Sequence, residues 1–203
     1  RTKLNNSLDA DFNFFIDQFS NISNSIFVDV TASKQISMKT SEILAKGTSV
    51  VTASKIANSS NQKYYNDIRL SETIGNVKFK YETNVGAGLP VIETLKNLLI
   101  TNDKILKIEG VMSGTLSYLF SKYDGSIPFS RLTKIAMKSG YTEPDPRNDL
   151  NGLDVARKIL ILIRETGEKI DIQDVCIDSL INNDIDTEIS VNEFLNELEK
   201  YDN

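Results

Sequence analysis

Short apolar runs alternate with helical patterns in the first third of this sequence. The run IFVDV, residues 26–30, is continuous enough to predict a buried parallel strand. Residues 33–46 are predicted as a helix that ends at Gly47, and SVVTA, residues 49–53, is predicted as the next strand. Parallel strands joined through a helix form a right-handed crossover. The alternation therefore predicts an α/β fold with a parallel sheet.

The remaining elements follow this start in a less regular order. They are a helix over 55–70, a strand over 78–82, a helix opened by Pro90, an apolar segment at 105–120 interrupted by SGT, a helix over 129–139 closed by Gly140, an apolar helix after Gly152, and a helix opened by the capping box SVNE at 190–193. The turn GAGLPV is no dinucleotide fingerprint, because its third glycine position is Val91. If the fold binds a dinucleotide, its glycine-rich βαβ unit is expected upstream of Arg1.

Composition limits the chemistry that this chain can perform. It has 203 residues, no histidine and the single cysteine Cys176. The missing histidine argues against a zinc site and against catalytic triads of Ser-His-Asp or Cys-His type. The lone cysteine indicates a reducing compartment. Lysines and carboxylates remain as acid-base groups. The net charge of −5 and scattered lysines argue against nucleic acid, and no apolar run approaches a membrane span. We therefore expect a cytoplasmic protein.

The run YTEPDPRNDLNGLDVARK, residues 141–158, concentrates carboxylates on a loop and the helix after it. Each proline favours extended geometry in the residue before it, so Glu143 and Asp145 are expected on a stiff arm. Asp154 and Lys158 lie four residues apart on the apolar helix. As a surface ion pair they would contribute roughly 0.3–0.5 kcal/mol. We favour a cleft at this point instead, because charges on so apolar a helix are otherwise costly to desolvate.

Polar residues also follow the two predicted strands. Thr31 comes after the first strand, and Ser54 and Lys55 come after the second. Ligands of open α/β sheets bind at the carboxyl ends of strands, and helix N-termini favour anionic groups. From position alone, Thr31 fits a helix cap and a cofactor contact about equally well.

Five motifs in this order resemble the homoserine dehydrogenase family: VDVTAS, VVTASKIA, YETNVGAGLPVI, GVMSGTLSYLF and GYTEPDPRNDLNGLDVARK. The resemblance covers residues 27–165 and is strongest to the dehydrogenase half of bifunctional aspartokinase-homoserine dehydrogenases. It implies reversible reduction of L-aspartate 4-semialdehyde to L-homoserine with NAD or NADP, in the aspartate pathway to threonine and methionine. It also implies a homodimer or larger homo-oligomer.

The resemblance assigns roles to individual residues. Lys158 matches the catalytic lysine, and Lys55 matches a second active-site lysine near nicotinamide and substrate. The implied substrate-binding residues are Glu143, Asp154, Gly140, Asp149 and Thr115, with Asp145 less clearly placed; the implied cofactor-binding residues are Thr31, Ser54 and Lys55. Where the family commonly has Pro-Asn-Lys, this chain has Ala53-Ser54-Lys55.

The turn at 82–89 resembles the family's monovalent cation site, with sodium as the expected ion. Its implied oxygen ligands are Glu82 and the carbonyl groups of Val85, Ala87 and Leu89. The spacing alone would favour a plain strand-to-helix connection.

Taken with the motifs, the predicted domains are a partial NAD(P)-binding domain of Rossmann type at 1–83 and part of an α+β substrate and dimerisation domain at 84–203. The chain is expected to be truncated at both ends and inactive by itself. One rival interpretation is a non-catalytic fragment that serves only packing or subunit association. A second, ranked last, is an amino-acid-binding regulatory module of the aspartate pathway, which would not be expected to carry the ordered set of Thr31, Lys55, Glu143, Asp154 and Lys158.

Overall fold

The computed structural model describes residues 11–19, 22–181 and 189–202. The chain divides into two compact units, Arg1–Asn84 and Val85–Asn203. Among the described residues, no helix is both long and apolar enough to cross a membrane.

Three short parallel strands form the sheet of the first unit, in the order β1-β2-β3. The elements in chain order are α1 (Phe12–Phe19), β1 (Ile26–Asp29), α2 (Lys34–Ser37), α3 (Thr40–Ala45), β2 (Ser49–Thr52), α4 (Gln62–Ile74), β3 (Phe79–Lys80) and a 3-10 turn (Glu82–Asn84). Ile26 pairs with Ser49, and Val50 pairs with Phe79. The predicted α/β class with a parallel sheet is confirmed.

One face of this sheet carries the core of the first unit. Val50 and Phe79 lie on that face and are buried together with Leu44 of α3. On the opposite face, Ile26 is 61 % exposed and Val28 is 58 % exposed. The prediction that 26–30 is buried on both faces is therefore wrong for this unit, since successive side chains of a strand point to opposite faces and α3 packs on only one.

The predicted boundaries of the first unit need three corrections. The helix expected over 33–46 is two helices, α2 and α3, although Gly47 ends the second with φ of 85° as expected. The helix expected over 55–70 begins later, because the side chain of Asn61 accepts a hydrogen bond from Tyr64 N and caps α4 there. The third strand is confined to Phe79–Lys80.

Helices make up the regular structure of the described part of the second unit. They are α5 (Val91–Ile100), α6 (Gly114–Lys122), α7 (Phe129–Lys138), α8 (Arg147–Leu150), α9 (Leu153–Glu165) and α10 (Val191–Leu198), with 3-10 turns at Ile172–Asp174 and Glu199–Tyr201. Leu119, Leu132, Leu150 and Phe194 form a buried cluster that joins α6, α7, α8 and α10. This cluster holds α6, α7 and α8, which carry Thr115 and Asp149 and flank residues 141–146.

Two glycines set the chain direction around that site. Gly140 has φ of 74° and follows α7, as predicted, and the amide of Tyr141 returns to the carbonyl of Ala136. Gly152 has φ of 75° and separates α8 from α9. A left-handed conformation favours glycine, so both turns depend on these residues. The capping box of Ser190 and Glu193 is also present at the start of α10.

Candidate active site

Lys158 and Asp154 form an ion pair on α9. The Lys158 Nζ lies 2.6 Å from Asp154 Oδ2 and donates a second hydrogen bond, also of 2.6 Å, to the carbonyl of Met112. The Lys158 side chain is 16 % exposed, whereas that of Asp154 is 37 % exposed. The ion pair, which the sequence analysis weighed and set behind a cleft, is therefore present, and its lysine is largely buried.

The Lys158 ammonium keeps one donor for a ligand. An ammonium has three protons. Within the described residues, hydrogen bonds to Asp154 and Met112 account for two of them. Sequence reasoning did not anticipate Met112, because a backbone carbonyl leaves no signature in residue type.

Asp149 connects two segments of the site. Its Oδ1 lies 2.8 Å from the Thr115 hydroxyl, and its Oδ2 accepts from the Glu143 amide at 2.9 Å. The Thr115 hydroxyl also lies 2.7 Å from the carbonyl of Tyr141, so its single proton is shared between two acceptors. Three residues predicted from the sequence, Thr115, Glu143 and Asp149, are thus brought together.

We call residues 141–146 the acidic arm. Within it the Glu143 side chain is exposed, while both carboxylate oxygens of Asp145 receive hydrogen bonds from the Arg147 guanidinium. These bonds hold the pKa of the Asp145 carboxyl below its usual range. Glu143 is therefore available to a ligand, whereas Asp145 is engaged by a protein cation.

An aromatic pair borders the same arm. The rings of Tyr118 on α6 and Tyr141 are stacked, with centroids 4.1 Å apart and planes 13° apart. Sequence reasoning missed both this pair and the role of Arg147. The ion pair of Arg147 with Asp145 could have been predicted from the sequence, since an arginine two residues after an aspartate can bind its carboxylate.

A second polar cluster lies at the carboxyl ends of β1 and β2 in the first unit. Asp29, which is 2 % exposed, accepts from the amide and the hydroxyl of Thr31 at 2.9 and 2.8 Å. Its other oxygen lies 3.3 Å from the Ser37 hydroxyl, which in turn lies 2.8 Å from the Ser54 hydroxyl. The predicted residues Thr31 and Ser54 are therefore linked through Asp29 and Ser37.

Asp29 itself was not singled out from the sequence. The available signal was a carboxylate inside the apolar run IFVDV. A buried carboxylate requires hydrogen-bond donors, and here Thr31, which follows β1, and Ser37 of α2 supply them. The helix cap near Thr31 is provided by Ser33, whose side chain accepts from Ile36 N. The cap interpretation of Thr31 is therefore wrong.

Lys55 follows Ser54 at the same sheet edge and is half-buried. Its carbonyl accepts from both the amide and the hydroxyl of Ser59. Lys55 belongs to the first unit and Lys158 to the second.

The turn proposed to bind a cation has left-handed backbone at Gly86 and Ala87, with φ of 80° and 51°. The Leu89 carbonyl accepts from Val91 N at 2.9 Å. Glu82 belongs to the first unit, and Val85, Ala87 and Leu89 belong to the second. In the described part of the chain no cluster of three or more carboxylate or cysteine groups could hold a metal, and the expected set contains only one carboxylate.

A parallel sheet whose strands are joined by helices, with polar residues at its carboxyl edge, is the architecture of dinucleotide-binding domains of Rossmann type. Two family models match the chain: that for homoserine dehydrogenase over residues 90–201, and that for the homoserine dehydrogenase NAD binding domain over residues 4–82. The chain belongs to the homoserine dehydrogenase family.

Curated relatives agree with these matches. The chain is 47 % identical over 181 residues to the chloroplastic bifunctional aspartokinase/homoserine dehydrogenase 2 of Arabidopsis thaliana, covering 89 % of this chain and 20 % of the relative. It is 44 % identical over 184 residues to homoserine dehydrogenase of Schizosaccharomyces pombe, covering 87 % of this chain and 49 % of the relative. The chain thus spans between a fifth and a half of the length of these two relatives.

Solved structures are similar as well. A Candida auris protein of unknown function matches with a TM-score of 0.85 and 34 % identity, over 97 % of this chain and 57 % of the other. A hyperthermophilic archaeal homoserine dehydrogenase in complex with NADPH matches with a TM-score of 0.67 and 25 % identity, over 76 % of this chain and 47 % of the other. None of these matches supports the rival interpretation of a non-catalytic packing module.

Proposed function

We propose that this protein catalyses the reversible NAD(P)-dependent reduction of L-aspartate 4-semialdehyde to L-homoserine, a step of the aspartate pathway to threonine and methionine. Family membership supports the reaction class. The observation that carries the proposal is the Lys158 ammonium, which is held by Asp154 and the Met112 carbonyl; these two acceptors among the described residues account for two of its three protons, and we assign the third to a substrate oxygen.

Lys158 acts as the general acid in the direction of reduction. Its Nζ donates a proton to the carbonyl oxygen of the aldehyde as that oxygen becomes an alkoxide, and it takes the proton back from the hydroxyl in the reverse direction. Asp154 and Met112 orient the ammonium, so that little rearrangement is needed before proton transfer. A bound NAD(P)H supplies the hydride that reduces the carbon.

The carboxylates of the site bind the ammonium end of the substrate. Glu143 and Asp154 are the direct partners that we propose, and Gly140 borders the substrate through its backbone. Asp149 already accepts from Thr115 and from the Glu143 amide, so its proposed part is to hold these two residues at the substrate.

The carboxyl ends of β1 and β2 fit a nicotinamide cofactor. Thr31, Ser54 and Lys55 lie there, as the general rule for open α/β sheets requires. The hydroxyl of Thr31 donates to Asp29 and accepts from the Ser33 amide at 3.2 Å, which leaves one oxygen lone pair for a ligand. We propose that 1–83 is a partial NAD(P)-binding domain and 84–203 part of the substrate domain, with Lys55 as the second active-site lysine.

Three further assignments extend the proposal. Sodium binds the carboxylate of Glu82 and the carbonyl groups of Val85, Ala87 and Leu89, since hard cations prefer oxygen ligands. The protein forms a homodimer or a larger homo-oligomer. It is cytoplasmic, a location supported by Cys176, which is exposed and free.

The test is formation of NAD(P)H from L-homoserine by the complete reading frame. The unmodified protein should turn over, and Lys158→Ala should lose kcat by roughly 10²–10⁴ with little change in KM, because the lysine acts in the transition state. Lys169→Ala, which removes an exposed lysine beyond α9, should leave both constants unchanged. A folded protein that is inactive with both cofactors would contradict the proposal.

A further inference from the structure

Arg147 contacts two separate parts of the second unit. Its Nε lies 2.9 and 3.0 Å from the two carboxylate oxygens of Asp145, and one terminal nitrogen donates to Asp145 Oδ2 at 2.7 Å. The other terminal nitrogen donates to the carbonyl of Ile189 at 2.8 Å. The guanidinium carbon also lies 5.5 Å from the centre of the Phe194 ring. A single side chain therefore joins the acidic arm to the segment that carries α10.

These contacts leave the Asp145 carboxylate directed at a protein group. In addition to the guanidinium contacts, the amide of Arg147 donates to Asp145 Oδ1 at 3.0 Å. Both carboxylate oxygens are therefore engaged within the protein. Asp145, whose place in the site the sequence left unclear, is thus poorly arranged to bind a substrate directly.

The ion pair of Arg147 and Asp145 is one of two contacts that hold the acidic arm against the rest of the second unit. On one side, the Glu143 amide is bound by Asp149 at 2.9 Å. On the other side, Asp145 is bound by Arg147. Pro144 lies between the two contacts, and Pro144 and Pro146 disfavour helical backbone in the residues before them, Glu143 and Asp145. The direction of the exposed Glu143 side chain is therefore set by Asp149 and Arg147 together.

The environment of Arg147 favours a firm attachment. Its side chain is 16 % exposed, and Phe194 beneath it belongs to the buried cluster. A planar guanidinium can engage a carboxylate through two nitrogens at once and stack on an aromatic ring, whereas a lysine ammonium is a point charge. The contact set therefore requires arginine rather than a positive charge alone.

We propose that Arg147 is a positioning residue, which binds the acidic arm to the start of α10 and so keeps the Glu143 carboxylate in place for the ammonium group of the substrate. The inference rests on the proposed function. It assigns to α10 a part in substrate affinity, although α10 itself carries no group of the candidate site.

The test compares steady-state kinetics of the complete protein and its Arg147→Met variant with L-homoserine as the varied substrate. We expect the KM for L-homoserine to rise roughly tenfold, with kcat changed by less than about twofold and the KM for NAD(P)⁺ unchanged, because only ground-state positioning is lost. Arg147→Lys should show most of the same rise in KM for L-homoserine, since lysine keeps the positive charge but cannot bind the carboxylate through two nitrogens at once. Arg131→Met, which removes an exposed arginine of α7, is the matched control and should behave as the unmodified protein.

A double variant separates positioning from direct binding. Asp145→Asn alone should raise the KM for L-homoserine about as much as Arg147→Met, and adding it to Arg147→Met should raise KM no further. Additive effects would mean that Asp145 and Arg147 influence substrate binding independently, which would overturn the inference. If the Arg147→Met variant does not fold, the Asp145→Asn variant serves as the test by itself. An unchanged KM for L-homoserine in Asp145→Asn would then overturn the inference.

The two proposals fail in different ways. An unmodified protein that does not oxidise L-homoserine removes the proposed function and this inference with it. If the unmodified protein is active but its Arg147 and Asp145 variants have a normal KM for L-homoserine, only the inference about Arg147 is overturned.

Discussion

The hydroxyl of Thr115 on α6 lies 2.8 Å from the carboxylate of Asp149, 34 residues further along the chain. Because Asp149 also accepts from the Glu143 amide, this contact connects the start of α6 to the acidic arm. Thr115 is buried, so the hydrogen bond is largely shielded from water. The position of the arm therefore depends on a residue outside its own motif.

Thr115→Val should weaken both the fold and substrate binding. The change keeps the side-chain shape but removes the proton shared by Asp149 and the Tyr141 carbonyl, and a lost hydrogen bond to a charged group costs about 1.5–3 kcal/mol. Urea denaturation should show that loss in the free energy of unfolding, and the KM for L-homoserine should rise. Ser117→Ala, on the exposed side of α6, is the control. Equal stability of the two variants would contradict the importance of the Thr115 contact.

Lys158→Arg should be as inactive as Lys158→Ala. A guanidinium keeps the positive charge near Asp154 but remains protonated at any ordinary pH, so it cannot exchange a proton with the substrate. Initial rates in both reaction directions measure the effect. Substantial activity in the arginine variant would show that Lys158 contributes only charge.

Asp29→Asn should impair cofactor binding more than substrate binding. Asp29 is buried and accepts hydrogen bonds from Thr31 and Ser37, and an amide replaces one acceptor oxygen with a donor that opposes those groups. We expect the KM for NAD(P)⁺ to rise roughly tenfold and stability to fall by about 1–3 kcal/mol. Asp67→Asn on α4 is the surface control. An unchanged cofactor KM would limit Asp29 to a role in folding.

The ion pair of Asp145 and Arg147 should make stability depend on pH. Hydrogen bonds from Arg147 lower the pKa of Asp145 in the folded protein, so the pair stabilises the fold above the unfolded pKa of about 4 and this stabilisation is lost as pH falls through the lower folded pKa. The urea midpoint of the unmodified protein should therefore exceed that of Asp145→Asn at pH 6–7. The gap should close as the pH falls below about 4. A gap independent of pH would exclude the carboxylate charge as its source.

Local pattern was sufficient to predict several elements. The alternation of apolar runs and helices predicted the parallel sheet of β1 and β2, and Gly47, Gly140 and the Ser190 capping box marked helix ends correctly. Residues four apart on a helix are neighbours, so the spacing of Asp154 and Lys158 allowed their ion pair, although the sequence analysis favoured a cleft over it. In each case the determining contacts are close in sequence.

Helix starts were harder to predict for a physical reason. The helix expected over 55–70 begins only at Gln62, where the side chain of Asn61 caps it. The helix expected over 33–46 is interrupted after Ser37, whose side chain turns towards Asp29 and Ser54. Both departures depend on hydrogen bonds made by polar side chains, Asn61 and Ser37, and the sequence alone does not indicate which partner such a side chain will bind.

By itself, the sequence determined the chemistry that is possible: no histidine, a lysine four residues after an aspartate on an apolar helix, and prolines around the acidic arm. Tertiary structure alone decided which groups meet. The Met112 carbonyl binds Lys158 across 46 residues, and Arg147 reaches the carbonyl of Ile189 across 42. Such contacts arise only when packed helices bring distant segments together, and neither residue type nor local spacing encodes that arrangement.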